Sequence, residues 1–348
     1  MTIPVARQAG FAVAVLLSFA AAGCSDSPKV VVYTALDQGF SQPVFNQFTK
    51  ETGIQVHAKF DVESTKTVGL VNSLIAERDH PRCDLFWNNE LLHTLRLKKL
   101  GLLDVYMSNN GQAFPKQFRA GDGSWYGFAG RARVLIVNTR RLKASATTRT
   151  GTYPNSILDL ADPKWKGQVG IAKPLFGTTA THSAVLFDVW GAARAKKFFR
   201  QVKANAEVMG GNKGVAQAVA SGQLVFGITD TDDAIIELDA GYPVKIVFPD
   251  QAERQMGALM IPNSLALIKG GPNRKHAEQL AEYLLAKRLE AQLAKAQSAQ
   301  FQLNPGVTER PRVAPKEPVR WMQVDFESAA AKWHESAQFL RELFHRAD

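Results

Sequence analysis
Cysteine is nearly absent: the 348 residues hold two, Cys24 and Cys83. Cys24 closes a leader-like segment, so Cys83 has no partner in the mature chain and no internal disulfide is expected, even in a compartment that would permit one. Burial as a small hydrophobe is the role expected of Cys83. Long apolar runs are lacking too. Past the leader, nothing approaches the ~20 consecutive apolar residues of a membrane-spanning helix. The sequence contains no Gly-x-Ser-x-Gly elbow, no His-Glu-x-x-His pair, no phosphate-binding loop and no Cys-x-x-Cys, so an enzyme is not expected. Histidines number seven. His80 with Cys83 and Asp84 makes a poor ligand set, because His80 precedes Pro81 in a turn while Asp84 opens a strand; His182 is the histidine to watch. Acidic residues are outnumbered, 32 against 42 Lys and Arg, for a net charge of +10. The basic excess is scattered through helical segments such as Arg96-Leu97-Lys98-Lys99. With no basic arm and no aromatic-interleaved basic strip, nucleic acid is not an expected partner.

The first 24 residues read as an address rather than a fold. Arg7 precedes a small and apolar run from Gly10 to Ala20, too short for a comfortable membrane span. Ala21-Ala22-Gly23-Cys24 then resembles the lipobox of bacterial lipoproteins, whose cysteine becomes the lipidated first residue. On that resemblance residues 1–24 are a lipoprotein signal peptide, and Ser25-Asp26-Ser27-Pro28 tethers a periplasmic or cell-envelope domain to the membrane through Cys24. Ala21 stands where leucine is usual, so plain secretion is the alternative. About 320 residues remain, more than one ordinary core and suited to two domains.

From Lys29 the pattern is α/β. Val30 to Thr34 is a β-branched run; Val44, Phe45 and Phe48 recur at helical spacing between Ser41 and Glu51; Ile54 to Phe60 alternates as a strand. Thr67 to Arg78 reads as a second helix and Cys83 to Trp87 as a third strand. Such alternation implies βαβ crossovers and a mostly parallel sheet. Open α/β sheets place ligands at strand ends, which puts Asp37 and the Asn88-Asn89-Glu90 group on one rim. Arg131 to Asn138 is a strong strand with Arg131 and Arg133 on one face. They could grip a carboxylate or phosphate, or pair with structural acids. Further on come a strand at Val169–Ala172, a loop at Pro174–Thr179 and a helix from about Ala180. Gly210 to Gly214 opens another helix. After the return strand Gly257–Ile268 the composition is helical, apart from a proline-rich connector at 305–318.

The stretch Leu224 to Asp233 concentrates the chemistry. A strand-like run stops at Thr229-Asp230-Thr231-Asp232-Asp233, and helix-compatible residues follow. Two readings stand. Thr229 or Asp230 caps the helix while the other acids favour its dipole, or the acids bind a ligand.

Several segments in this order resemble the periplasmic substrate-binding proteins of ABC importers, in the ferric-iron-binding (extracellular solute-binding family 1) group. They are Val30-Val31-Val32-Tyr33, Asp84-Leu85-Phe86-Trp87-Asn88-Asn89-Glu90, Gly130 to Thr139, Ala161-Asp162-Pro163-Lys164-Trp165-Lys166-Gly167, and Gln217-Ala218-Val219-Ala220-Ser221-Gly222. The resemblance implies a two-lobed type II periplasmic-binding-protein fold, with two mostly parallel sheets joined by crossing hinge strands near 128–139 and 255–268. Lobe 1 would comprise residues 29–127 plus 262–348, and lobe 2 residues 128–261. It further implies a ligand held between the lobes and delivered to a permease, with no catalysis and a monomeric working form. Ferric members place adjacent tyrosines where this chain has Thr231 and Asp232, so tyrosine-based ferric binding is excluded. Carboxylates remain hard donors, and a metal set of Asp37, Glu90 and Asp232 is open. Relatives also seat an anion on the loop and helix start that here look like Thr178, Thr179 and Asn212, a synergistic partner for a cation or part of the ligand itself. The expected ligand-binding residues are therefore Asp37, Asn89, Glu90, Arg131, Thr178, Thr179, Asn212, Asp230, Thr231 and Asp232. Iron or another hard cation, an amine or polyol, and a phosphorylated or carboxylated solute all stay open. An envelope hydrolase using Asp230, Asp232 or Glu90 as acid and base is the alternative of another class.

Overall fold
A computed structural model describes Met1 and residues 27–61, 67–144 and 153–345. Past Met1, the expected signal peptide and Cys24 lie outside the described residues. In chain order the elements are β1 (Lys29–Thr34), α1 (Gln38–Thr52), β2 (Gln55–Phe60), α2 (Val68–Ala76), β3 (Leu85–Asn88), α3 (Leu92–Lys99), β4 (Tyr126–Asn138) and α4 (Thr139–Ala144). There follow β5 (Val169–Ala172), α5 (Gly177–Trp190), α6 (Ala192–Asn205), β6 (Ala206–Met209), α7 (Asn212–Ala220), β7 (Phe226–Asp230), α8 (Thr231–Asp239) and β8 (Val244–Val247). The chain closes with β9 (Met260–Leu267), α9 (Arg274–Leu284), α10 (Lys287–Lys295), α11 (Phe326–Ala331) and α12 (Trp333–His345). No helix among the described residues is long and apolar enough to cross a membrane.

One strand organises both lobes. The first half of β4 pairs antiparallel with β9, which joins the sheet β2-β1-β3, whereas its second half pairs antiparallel with β7 and β8 in a sheet continued by β5 and β6. Parallel pairing holds among β1, β2 and β3 and among β5, β6 and β7, and each sheet becomes mixed where a crossing strand enters. The register of β4 shifts between Phe128 and Gly130, and Ala129 has φ 39°. A bulge of this kind bends and twists a strand, which is how β4 leaves one sheet for the other. Two groups brace it: Glu290 accepts the Ala129 N–H at 2.6 Å, and Gly130 exchanges backbone hydrogen bonds with Phe301.

Each sheet is covered on both faces. In the first lobe Trp87 meets Phe45 edge-on at 5.7 Å and Phe128 at 5.4 Å, beneath α1, α9 and α10. Cys83 is fully buried on the opposite side, as expected of a small hydrophobe, and burial pushes its thiol pKa up. In the second lobe Trp165 packs edge-on against Phe226 at 5.2 Å. The tail departs from its expected place in lobe 1, because Leu340 and Phe344 of α12 join the second-lobe core with Trp165 and Phe199. The pattern Leu340, Leu343, Phe344 gives α12 an apolar stripe, and its target is α5 and α6.

Candidate functional site
The C-terminal ends of four parallel strands open onto one cavity between the lobes, as open α/β sheets dictate. Asp37 follows β1, Asn89 follows β3, Lys173 follows β5 and Asp230 ends β7, and all four line it. Four helices begin around the same space: α1 after Asp37, α5 after Phe176, α7 after Gly211 and α8 after Asp230. None of these N-cap residues closes the first turn with its own side chain. The partial positive charge of the helix starts, carried by first-turn N–H groups, is thus gathered at the cavity wall. Gly177 enters α5 at φ 54°, a conformation that glycine adopts without strain. Thr178 and Thr179, expected in a loop, stand in the first turn of α5 because the helix begins at Gly177, ahead of Ala180.

A buried network centred on Arg133 forms part of the cavity wall. Arg133 donates from Nη1 to Asp230 Oδ1 at 2.6 Å and to Asn212 Oδ1 at 3.0 Å, and from Nη2 to Thr179 Oγ1 at 3.3 Å. Asp230 Oδ2 accepts from Thr178 Oγ1 at 2.5 Å and from Asn212 Nδ2 at 3.0 Å. Thr229 donates its hydroxyl to the Asn212 carbonyl at 3.0 Å. The capping reading therefore fails for both Thr229 and Asp230: Asp230 holds the N-cap position, but its carboxylate is turned to Arg133. Nearer the cavity, Arg131 Nε lies 3.5 Å from Asp232 Oδ2, and its Nη2 donates to Asn263 Oδ1 at 2.9 Å. Burial pulls the Arg131 pKa down, but the carboxylates of Asp232, Asp230, Asp37 and Asp233 more than offset this, so the net direction is up. Oxygens of Asp230, Asp232 and Asp233 lie within 4.8 Å of one another. Asp232 and Asp230 thus face Arg131 and Arg133, and Lys173 lines the same cavity as Asp37 and Asp233.

Of the expected residues, Asp37, Asn89, Arg131, Thr178, Thr179, Asn212, Asp230 and Asp232 do line the cavity. Glu90 and Thr231 do not. Glu90 is fully buried, with its oxygens taken by the N–H groups of Leu92 and His93, by Asn88 Nδ2, and by Thr181 Oγ1 at 2.8 Å. It fixes the start of α3 and reaches α5 of the opposite lobe; desolvation pushes its carboxyl pKa up despite these donors, which suits no exposed metal ligand. Thr231 accepts the Ala132 N–H at 3.1 Å and so locks α8 onto β4. His182 stands behind Arg133, and burial, with Arg133 adding to it, lowers its pKa to about 3. Lys173 and Asp233 were missing from the expected set. Lys173 has the same signal as Asn89, a polar residue directly after a strand. The cavity measures ≈ 30 Å³, room for about two water-sized groups between the lobes.

The described site sits in a chain with clear relatives. Residues 84–328 match the family described as bacterial extracellular solute-binding protein. The major ferric iron-binding protein of Neisseria meningitidis serogroup A is 24% identical over 312 residues, spanning 88% of this chain and 90% of that one. Among solved structures, the apo ferric ion-binding protein A of Pasteurella haemolytica superposes with a TM-score of 0.78 at 22% identity, covering 91% of this chain and 98% of that one. The periplasmic binding protein AfuA of Actinobacillus pleuropneumoniae, with exogenous fructose-6-phosphate bound, gives 0.79 at 21%, covering 92% and 99%. These neighbours share the two-lobed type II binding-protein architecture built here around β4 and β9. The chain belongs to the bacterial extracellular solute-binding proteins, and it is similar to their ferric-iron-binding group.

Proposed function
We propose that the chain is the solute-binding lipoprotein of an ABC importer, anchored at the envelope through Cys24 and working as a monomer. In this reading the ligand it hands to the permease is a small organic solute bearing a phosphate or carboxylate together with hydroxyl or amine donors. The observation that carries the ligand class is the pairing of cleft carboxylates with arginines. A bare hard cation needs carboxylate oxygens with coordination to spare. Asp230 has its Oδ1 on Arg133 and its Oδ2 on Thr178 and Asn212, and a cation beside Asp232 would face the Arg131 guanidinium. An anionic group instead gains Arg131, Lys173 and the helix starts of α5 and α7. Its hydroxyl or amine groups gain Asp37, Asp232 and Asp233. A phosphorylated sugar, as in the AfuA structure, has this combination.

Iron or another hard cation is the second reading, favoured by the close oxygens of Asp230, Asp232 and Asp233 and by the ferric relatives. The hydrolase alternative loses its acid-base pair, since Glu90 is outside the cavity and Asp230 is committed to an ion pair. Thermal melting with fructose-6-phosphate, an aminoalkylphosphonate and ferric citrate, together with metal analysis of protein purified without added metal, tests the choice. A raised melting temperature with a phosphorylated solute recovered unchanged supports the proposal. Stoichiometric co-purifying iron, or turnover of the solute, overturns it.

A further inference from the structure
Besides β4 and β9, the tail of the chain also crosses between the lobes. α9 and α10 pack in the first lobe, whereas Leu340 and Phe344 of α12 are buried in the second, where Phe339 also meets Phe187 of α5 at 6.0 Å. α11 lies at the crossing point, against α3 of the first lobe and α5 of the second. Its buried Phe326 and Ala329 share one apolar cluster with Leu92 and Leu95 of α3 and with Ala184 and Val185 of α5. Just past its end, Trp333 meets the buried His93 ring of α3 edge-on at 4.2 Å.

The two sides of α11 are attached differently. Toward the second lobe, Ser328 Oγ donates to Asp188 Oδ1 of α5 at 2.6 Å. Only Lys332 separates α11 from α12, whose Glu335 accepts from Lys196 of α6 at 2.9 Å. Toward α3 no hydrogen bond is formed among the described residues, and the contact consists of apolar side chains and the His93–Trp333 rings. An apolar seam parts without leaving a polar group unpaired. One residue reaches at most ~3.6 Å, too short a link for α11 to stay on α3 while α12 leaves with α5. Upstream, the Met322 N–H is held by the Ala258 carbonyl just ahead of β9, beside the crossing strands, where a hinge rotation displaces the chain least.

We propose that α11 travels with the second lobe when the cleft opens, and that its seam with α3 is the contact that parts, with Trp333 leaving His93. The seam thereby holds the lobes shut from outside the cleft, since none of Phe326, Ala329, Trp333 and His93 lines the solute cavity. The balance between open and shut chains is then set in part by the tail, whatever the solute.

Pulsed spin-label distances in the unliganded mature chain, with Cys24→Ser and the fully buried Cys83 left in place, test this without any solute. Labels go in pairs on three exposed positions, through Leu100→Cys just past α3, Leu238→Cys of α8 and Glu327→Cys of α11. The Glu327–Leu238 distance should be single and match the structure. Glu327–Leu100 and Leu238–Leu100 should each show a second population, in the same proportion. Trp333→Ala should raise that second population about twofold to tenfold relative to the first, the effect of one ring pair, and Trp333→Phe should raise it less. The proposal is overturned by a second population in Glu327–Leu238 beside a single Glu327–Leu100 distance, by single distances in all three pairs, by unchanged proportions in Trp333→Ala, or by an equal rise in Trp333→Phe. Because the labelled positions are exposed, the three pairs alone decide the lobe with which α11 moves even where a Trp333 variant fails to fold.

Discussion

Arg133 and Asp230 face each other in register across β4 and β7, and their side chains close the same pairing with a 2.6 Å ion pair, 0% and 4% exposed. A guanidinium this deep is tolerable only with its partner in place. The pair also fixes Thr178, Thr179 and Asn212, so the strands set the geometry of the helix starts that line the cleft.

Asp230→Asn should therefore cost stability on the scale of a broken buried pair, ~3–5 kcal/mol, well above the ~1 kcal/mol typical of a lost helix cap. Denaturant unfolding at neutral pH measures it. A loss of cap size would return Asp230 to a capping role.

Asp232→Asn acts nearer the ligand. The change removes one charged acceptor opposite Arg131, so affinity for the solute that raises the melting temperature should fall about tenfold to a hundredfold, corresponding to ~1.5–3 kcal/mol, with the fold intact. Calorimetric titration reads this directly, and unchanged affinity would remove Asp232 from the binding set.

Acid stability should depend on His182. Its folded pKa of about 3 lies below the ordinary ~6.5, because the ring is buried and faces Arg133. Above pH 6.5 it contributes nothing; as pH falls, the unfolded chain takes up a proton that the folded chain refuses, and stability drops by ~1.4 kcal/mol per unit until about pH 3. His182→Gln should thus recover ~2 kcal/mol of the loss seen between pH 7 and pH 5. An unaltered slope in the variant would mean that the folded protein already accommodates imidazolium there.

Leu340→Ala tests where the tail belongs. The side chain is 1% exposed within the second-lobe core, so the substitution should cost ~2–5 kcal/mol. Hydrogen exchange should quicken in α6 and β5 and stay slow in β1. Faster exchange confined to β1 and α1 would restore the tail to the first lobe.

The strands were legible because their chemistry is local. β1, β2 and β5 announce themselves by β-branched or alternating runs, and Asp37 and Asn89 by standing at strand ends. Arg131 and Arg133 could be placed on one face but not assigned, since whether an arginine meets ligand or structural acid depends on β7, nearly a hundred residues away in the chain. Glu90 misled for the opposite reason. A carboxylate two residues past a strand end can turn into the next helix start, and the backbone donors of Leu92 and His93 draw it there. β6 (Ala206–Met209) is short and partly exposed, so it carries little apolar signal. The destination of α12 was invisible because an amphipathic stripe states that a helix packs, not on what.

The hydrogen bond from Thr181 to Glu90 joins the two lobes with no ligand atom involved. In a binding protein whose lobes open and close, a contact of this kind favours the shut arrangement before any solute arrives, and measured affinity is then the intrinsic affinity scaled by the shut fraction. Changing this contact would tighten or loosen every solute by the same factor, whereas changing Arg131 or Asp232 alters one solute relative to another. How strongly the protein holds its cargo and which cargo it prefers are therefore set at separate residues, and each can drift without disturbing the other.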